Sequence, residues 1–434
     1  MKTKLRKEKV NIITLGCSKN LVDSEVMGGH LRRARIDVKH ESKKLEHNIS
    51  IINTCGFIDL AKEESINTIL EQVELKKQGK IEKVYVTGCL SERYKHNLEE
   101  EIPEVDAFFG TGELRQLLAK FKIDYKAELV GERMLATPKH YAYMKISEGC
   151  NRTCAFCAIP LMRGKHTSKP IEAIVAEAEM LVQKGVKEIM LIGQELTYYG
   201  LDIYKSRALP QLMDKLAMVP GLEWIRLHYA YPSKFPIEII DVMKEHQNIC
   251  NYLDMPVQHA SDNILKAMRR QITRRETEDL IAEIRNRIPD ICLRTTLIAG
   301  FPGETDEDVE EVKQFLQKIE FDRVGIFTYS HEENTAAYEL KDNIPQEVKQ
   351  QRAEDIMEVQ RDISYEKNKA KEGKIFKVIV DKKESGKYLG RTEFDSVEVD
   401  NEIIIDSPHK LNPGDFVNVK ITRAYDYDME GVVV

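Results

Sequence analysis

Gly149-Cys150-Asn151-Arg152-Thr153-Cys154-Ala155-Phe156-Cys157 places three cysteines within eight residues. Three thiolates so close in sequence can converge on one metal centre. A structural zinc ion takes four protein ligands, and the nearest candidate for a fourth is His166, nine residues beyond Cys157. A redox pair of the thioredoxin type, Cys154 with Cys157, leaves Cys150 without a role. A cubane iron–sulfur cluster has four irons, so three cysteines would hold it and leave one iron open for chemistry.

Five further cysteines lie at 17, 55, 89, 250 and 292. A secreted disulfide framework is dense in a short chain, whereas here eight cysteines are spread over 434 residues. That pattern favours a reducing cytoplasm and metal ligation. Apolar residues make up 42% of the chain, enough for ordinary cores, and the net charge of −7 gives no overall basic field to draw the protein onto nucleic acid. No apolar run reaches the roughly 18–20 residues of a membrane helix. Basic residues between Lys2 and Lys9 precede Val10-Asn11-Ile12-Ile13-Thr14-Leu15-Gly16-Cys17. This is faintly like a lipoprotein signal, but the apolar part is too short once Asn11 is discounted. A buried strand running into a functional loop is expected instead.

The first 100 residues repeat one unit three times. The apolar runs Ile12–Gly16, Ile49–Thr54 and Val84–Gly88 lead to Cys17, Cys55 and Cys89, and a helical pattern follows each, the second from about Asp59 to Lys77. Short apolar runs alternating with helices predict a parallel sheet. Ligands bind such sheets at the edge where strand gives way to helix, and a helix N-terminus there favours thiolate. A lone cysteine is more often a small buried hydrophobe. Three in the same place of successive units point to a shared metal site.

Strand and helix alternate again from Tyr141 to about Lys367. Strands are expected at Tyr143–Ser147, Glu188–Ile192, Trp224–His228, Tyr252–Val257, Ile291–Ile298 and Arg323–Tyr329. Helices are expected at Ile171–Lys184, bracketed by Pro170 and Gly185, and after Thr305, where Asp306, Glu307 and Asp308 suit the helix dipole. Six strands each feeding a helix predict a partial (β/α)6 barrel with its chemistry on the loops after the strands. A charged helix carrying Arg352 and Arg361 is expected to pack against it. Beyond Gly373, short strands at Ile375–Val380, Val397–Val399, Glu402–Ile405 and Phe416–Ile421 predict a small antiparallel β-barrel. The fold class is α/β, with domains at 8–127, 136–366 and 368–434.

The Cys-x3-Cys-x2-Cys spacing, with Phe156 before the last cysteine and a strand before the first, resembles the signature of radical SAM enzymes. The resemblance implies that the open iron chelates S-adenosylmethionine. One electron from the cluster then splits its sulfonium to a 5′-deoxyadenosyl radical, which abstracts hydrogen from an unactivated carbon. Gly193, Gln194 and Glu195 stand where that family has a Gly-Gly-Glu-like segment near the methionine amino group, with Gln194 a departure. Thr295 to Thr305, with Thr296 and Gly300, resembles the later Gly-rich strand end near adenine and ribose.

With three spaced cysteines before it and a small barrel after it, nearly the whole chain resembles the methylthiotransferases. That implies a second 4Fe–4S cluster on Cys17, Cys55 and Cys89 and a C-terminal TRAM domain. One S-adenosylmethionine would methylate a sulfur at the second cluster, and another would generate the radical at the first. Thr14-Leu15-Gly16-Cys17-Ser18-Lys19-Asn20, Val22-Asp23-Ser24-Glu25, Tyr141 to Cys150, and Tyr425-Asp426-Tyr427-Asp428 resemble the RimO-like branch. That branch modifies the β-carbon of an aspartate in small-subunit ribosomal protein twelve. The alternatives are a MiaB-like tRNA adenosine methylthiotransferase and, in another class, a non-catalytic iron–sulfur carrier. From Lys371 to Val434 there are ten Lys and Arg against thirteen Asp and Glu, a net of −3. Such a barrel suits a basic ribosomal protein better than tRNA phosphates, although an acidic surface is also what an acidic protein shows by default. A reductant protein such as flavodoxin is implied, and a cytoplasmic location.

Arg269, Arg270, Arg274 and Arg275 form the conspicuous basic cluster, expected as a solvated helix face or cap contact rather than an RNA contact. Arg163 is expected to help close the site. Gln258 and His259 are placed at the barrel mouth, with His259 equally suited to holding a loop. Cys250 and Cys292, without partners at metal spacing, are read as core or incidental thiols, and Trp224 as packing.

Overall fold

The apolar runs before Cys17, Cys55 and Cys89 become neighbouring strands. The computed structural model describes residues 7–125 and 133–434, so the first few basic residues and the boundary placed at 127 lie outside the described residues. The chain divides into two units: 1–137 with 143–151 and 158–167, and 138–142 with 152–157 and 168–434.

In the first unit, β1 (Lys9–Thr14), β2 (Asp37–His40), β3 (Ile49–Thr54), β4 (Lys83–Gly88) and β5 (Ala107–Phe108) form a sheet in the order β2-β1-β3-β4-β5. Every pair is parallel. Helices α1 (Ser18–Arg33), α2 (Asp59–Lys77), α3 (Cys89–Glu101) and α4 (Leu114–Ala119) connect them. One face buries Val10, Ile12, Leu31, Ile51 and Phe121, the other Ile52, Ile69, Val84 and Val86. The threefold repeat is therefore real, and its strands are central ones buried on both faces. β2 and β5 escaped the sequence pattern because both are short edge strands with few buried apolar residues.

β6 (Tyr141–Lys145), β7 (Ser147–Glu148), α5 (Ile159–Arg163) and β8 (Thr167–Ser168) flank the three-cysteine stretch. In the second unit follow α6 (Ile171–Gln183), β9 (Glu188–Ile192), α7 (Leu209–Ala217), β10 (Trp224–Leu227), α8 (Glu238–Glu245), β11 (Ile249–Asp254), α9 (Asp262–Ala267), α10 (Arg274–Arg287), β12 (Cys292–Ala299), α11 (Asp306–Ile319), β13 (Arg323–Thr328) and α12 (Gln346–Lys369). The sheet runs β6-β9-β10-β11-β12-β13 in chain order, parallel from β9 to β13. This is the expected partial barrel. α11 opens on a capping box of Thr305 and Asp308. The expected strand Tyr252–Val257 is corrected to β11, which starts and ends three residues earlier. Asn251 breaks the apolar run within it, and Pro256 disfavours regular structure at its end.

β14 (Ile375–Glu384), β15 (Lys387–Thr392), β16 (Ile403–Asp406), β17 (Phe416–Ala424) and β18 (Met429–Val433) close into a barrel in the order β14-β15-β16-β18-β17. β15 and β18 lie outside the strands the sequence pattern predicts. The expected strand Val397–Val399 is instead a turn, because Asp400 takes the Ser396 N–H on its carboxylate at 2.8 Å and Glu398 adopts φ 70°. Trp224 packs edge-on against Phe416 with ring centroids 4.9 Å apart, beside Cys250 and Cys292, so all three are core. Glu188 lies fully buried between Arg226 (2.8 Å) and Arg391 (2.8 Å), and Arg391 also holds Asp381 at 2.7 Å. α12 is tied down by Arg352, which contacts Glu304 at 3.0 Å and Asp306 at 2.7 Å. No helix among the described residues is long and apolar enough to cross a membrane.

Candidate iron–sulfur sites

Cys55 and Cys89 stand immediately beyond β3 and β4 and Cys17 three residues beyond β1, at or near the start of α2, α3 and α1. Gly16 lies so close to Cys55 that a Cβ on it would meet Cys55 Sγ at 2.8 Å, and its φ of +87° favours glycine. Asn20 stitches the three loops together. Its Nδ2 donates to the carbonyls of Leu15 (2.8 Å) and Thr54 (3.0 Å), and its Oδ1 lies 3.7 Å from Cys89 Sγ.

Arg163 completes this cradle. It is buried, donates to Asn20 Oδ1, and pairs with Asp23 (2.6 Å) and Glu148 (3.4 Å). Lys145 contacts the same two carboxylates. Burial pushes the Cys55 thiol up to about 11, and the neighbouring Cys17 and Cys89 push the same way. Burial likewise raises Cys89, against the pull of Arg163. At Cys17, burial would raise the thiol, but Lys19, the Asn20 N–H and Arg163 together hold it below its ordinary value. The three sulfurs therefore feel one another's charge, and a cationic centre would relieve it. Among the described residues no His, Cys, Asp or Glu group closes tightly enough to hold a single metal ion.

In the other stretch, Gly149 has φ +72°, and a Cβ there would lie 2.2 Å from the Lys165 carbonyl. Cys150 N–H donates to Gly164 O at 3.1 Å in the first unit. In the second unit, Cys157 N–H donates to Cys154 O at 3.2 Å and Ala155 N–H to Met268 O at 2.9 Å. Arg152 binds Glu195 through Nε (3.0 Å) and a terminal nitrogen (2.8 Å), with its guanidinium carbon 4.1 Å from the Tyr198 ring and 3.8 Å from the Tyr231 ring. Glu195 also accepts from Thr197 N and Oγ1 at 2.6 Å each.

The basic cluster requires a correction. Arg270 is buried, not solvated, and donates to Cys154 Sγ at 3.3 Å. Its neighbours behave as expected of surface residues: Arg274 pairs with Glu278 and Arg275 with Asp279 along one helix. Sequence periodicity could not separate them, because Arg270 lies between α9 and α10 while the other two belong to α10. His259 holds a loop, accepting from Ser261 N–H at 3.0 Å and facing Glu304 at 3.3 Å. The Gln258 backbone bridges to Thr296 and Ile298. Gly300 N–H donates to both Glu304 carboxylate oxygens at 2.9 Å, and Thr296 Oγ1 accepts from Arg294 at 3.3 Å. Gln194, half-buried, follows Gly193 just beyond the end of β9.

Comparison with known proteins agrees with this architecture. Residues 144–316 match the radical SAM superfamily, 9–110 match the uncharacterized protein family UPF0004, and 373–434 match the TRAM domain. The chain is 56% identical over 433 residues to the ribosomal protein uS12 methylthiotransferase RimO of Christiangramia forsetii, covering 99% of this chain and 96% of that one. It is 57% identical over 434 residues to the RimO of Flavobacterium johnsoniae, covering 99% of each. The chain belongs to the RimO family. Membership in the radical SAM superfamily implies S-adenosylmethionine and a 4Fe–4S cluster. Among solved structures, the radical S-adenosylmethionine methyltransferase TsrM of Kitasatospora setae shares the fold, with a TM-score of 0.55 at 14% identity over 74% of this chain and 73% of that one.

Proposed function

We propose that this chain is a methylthiotransferase that acts on the β-carbon of an aspartate in ribosomal protein uS12. In this reading Cys150, Cys154 and Cys157 hold one 4Fe–4S cluster, and Cys17, Cys55 and Cys89 hold a second. The observation that carries it is the cradle of the first unit, where three cysteines at equivalent strand ends surround Asn20 and Arg163 in a chain of the RimO family. S-adenosylmethionine, when bound, supplies both the methyl group and, with an electron from the cluster, the radical that activates the substrate carbon.

The protein's own work is to hold and shield. Asn20 fixes the loops that present the three N-terminal thiolates, and Arg163 offsets their negative charge. Gly149 allows the tight turn that immediately precedes Cys150. In this reading Gly193, Gln194 and Glu195, just beyond β9, and Thr296 and Gly300, within and just beyond β12, contribute to the S-adenosylmethionine site, Glu195 through Arg152. The C-terminal barrel, with net charge −3, would receive a basic ribosomal protein segment. The reading retains domains at 8–127, 136–366 and 368–434, a cytoplasmic location, and a reductant protein such as flavodoxin.

Two measurements test it. Mass spectrometry of uS12 from cells lacking the protein should show the methylthio group gone. Loss of a tRNA methylthio group with uS12 unchanged would overturn the assignment in favour of the MiaB-like alternative. Anaerobic reconstitution should give about eight irons per chain, at four per cubane, and Cys17→Ala should reduce the count. An unchanged count would remove the second cluster.

A further inference from the structure

Tyr231 lies between two guanidinium groups. The guanidinium carbon of Arg152 is 3.8 Å from the ring centroid and that of Arg270 is 3.9 Å. The Tyr231 hydroxyl donates to the Arg270 carbonyl at 2.6 Å and lies 3.9 Å from Cys154 Sγ. Arg270 sends one terminal N–H to Cys154 Sγ at 3.3 Å and the other to the Pro256 carbonyl. Its Nε is buried too and has no hydrogen-bond partner among the described residues. A permanently charged group has thus been withdrawn from water, clamped by an aromatic ring and aimed at one cysteine sulfur, with one donor left over.

Burying such a charge is costly unless something negative faces it. Arg270 has no carboxylate partner among its contacts in the described residues. A thiolate carrying an iron–sulfur cluster would supply the missing charge. Hydrogen bonds to cluster sulfurs and nearby positive charge favour the reduced cluster, because reduction adds one negative charge.

We infer that Arg270, held in place by Tyr231, is a positioning residue that raises the reduction potential of the cluster on Cys154 and so makes its one-electron reduction easier. The inference rests on the reading that Cys150, Cys154 and Cys157 hold a cluster. The step is an uptake of one electron from an external donor. Arg270 keeps its proton, and no bond in the protein forms or breaks.

The test uses the full-length chain with Cys17, Cys55 and Cys89 replaced by alanine, so that a single cluster remains. It is titrated anaerobically with dithionite without S-adenosylmethionine and followed by electron paramagnetic resonance. Arg270→Gln should shift the midpoint to more negative potential at full iron content. Tyr231→Phe, which keeps the ring and the charge but loses the hydroxyl that ties Tyr231 to the Arg270 carbonyl, should give a smaller shift of the same sign. Should Arg270→Gln lose iron, Arg270→Lys is read instead; it keeps a positive charge but loses the N–H directed at Cys154 Sγ and should also move the midpoint to more negative potential. A filled cluster whose potential is unmoved by any of these changes overturns the role of Arg270. A parent triple variant that binds no iron overturns the underlying cluster assignment instead.

Discussion

Gly16 and Cys55 occupy one cramped point at the end of the N-terminal sheet: a Cβ on Gly16 would lie 2.7 Å from Cys55 Cβ and 2.8 Å from its Sγ. The backbone there is also left-handed, at φ +87°. Gly16→Ala must therefore push the Cys55 thiol aside as well as strain the turn. The expected result is loss of iron from the N-terminal site, with about four of roughly eight irons retained. Iron analysis and electron paramagnetic resonance of the reconstituted protein check this. Full iron content would show that the turn can yield without moving the thiol.

Arg163 couples the same cradle to the segment after Cys157 by its contacts with Asn20, Asp23 and Glu148. Removing it leaves two carboxylates and three sulfurs opposed by Lys145 at the carboxylates and Lys19 at Cys17. Arg163→Met should weaken iron binding at Cys17, Cys55 and Cys89 more than at the other three cysteines. Competition with a chelator, read by the spectrum of each cluster, measures this. Equal loss from both sites would mean general unfolding rather than charge.

The contrast between these residues and Arg270 shows where the sequence was readable. Repeated strand–cysteine–helix units announce themselves because central parallel strands are continuous apolar runs. The sequence therefore puts Cys17, Cys55 and Cys89 at equivalent strand ends. Arg163 carried only a positional hint. Arg270 sat in an apparently solvated run, since nothing local in Arg269-Arg270-Gln271 says which side chain turns inward. That choice is made by Tyr231 and Cys154, 39 and 116 residues away in sequence. Strand β15 was hidden for the same reason. Its Arg391 reads as a surface residue until Glu188, 203 residues distant, neutralises it.

That Glu188–Arg391 pair predicts a pH dependence. Burial opposes the charged form of Glu188, but Arg391 and Arg226 outweigh it and hold the carboxyl below its ordinary value. Asp381 is held down in the same way, burial being outweighed by Arg391 and His140. A carboxylate whose folded pKa is depressed adds stability that is fully present above its unfolded pKa, about 4. That stability is lost as pH falls through the lower folded value. Glu188→Gln should destabilise the cluster-free chain at pH 7 by about 3–5 kcal/mol, because it strands a buried guanidinium. The gap from wild type should narrow below about pH 4. Urea unfolding at several pH values measures it, and a gap of constant size would refute the linkage.

Cys250 and Cys292 should behave unlike the other six cysteines. Both are buried, and burial pushes Cys250 up to about 12 and Cys292 well above its ordinary value. Cys292 also donates to the Phe394 carbonyl at 3.1 Å. In the native cluster-free protein, iodoacetamide should label neither thiol while the chain stays folded. Replacing either by alanine should leave the iron count unchanged and cost about 1 kcal/mol. A fall in iron content would assign one of them to a cluster.

Glu195 offers the sharpest choice between a contact read from family resemblance and one seen in the fold. The sequence places it beside the methionine end of S-adenosylmethionine, whereas the structure gives its carboxylate to Arg152 and Thr197. Arg152 is itself buried between Tyr198 and Tyr231. Glu195→Gln keeps the shape and removes the charge that Arg152 faces. If the ion pair is the main role, stability should fall by about 3 kcal/mol and S-adenosylmethionine affinity should change only as far as the loop loosens. If the carboxylate instead meets the cofactor's ammonium directly, affinity should fall with stability unchanged. Urea unfolding together with equilibrium binding of S-adenosylmethionine on the same preparation separates the two. The distances favour the first outcome, since both carboxylate oxygens already have protein donors within 3.0 Å.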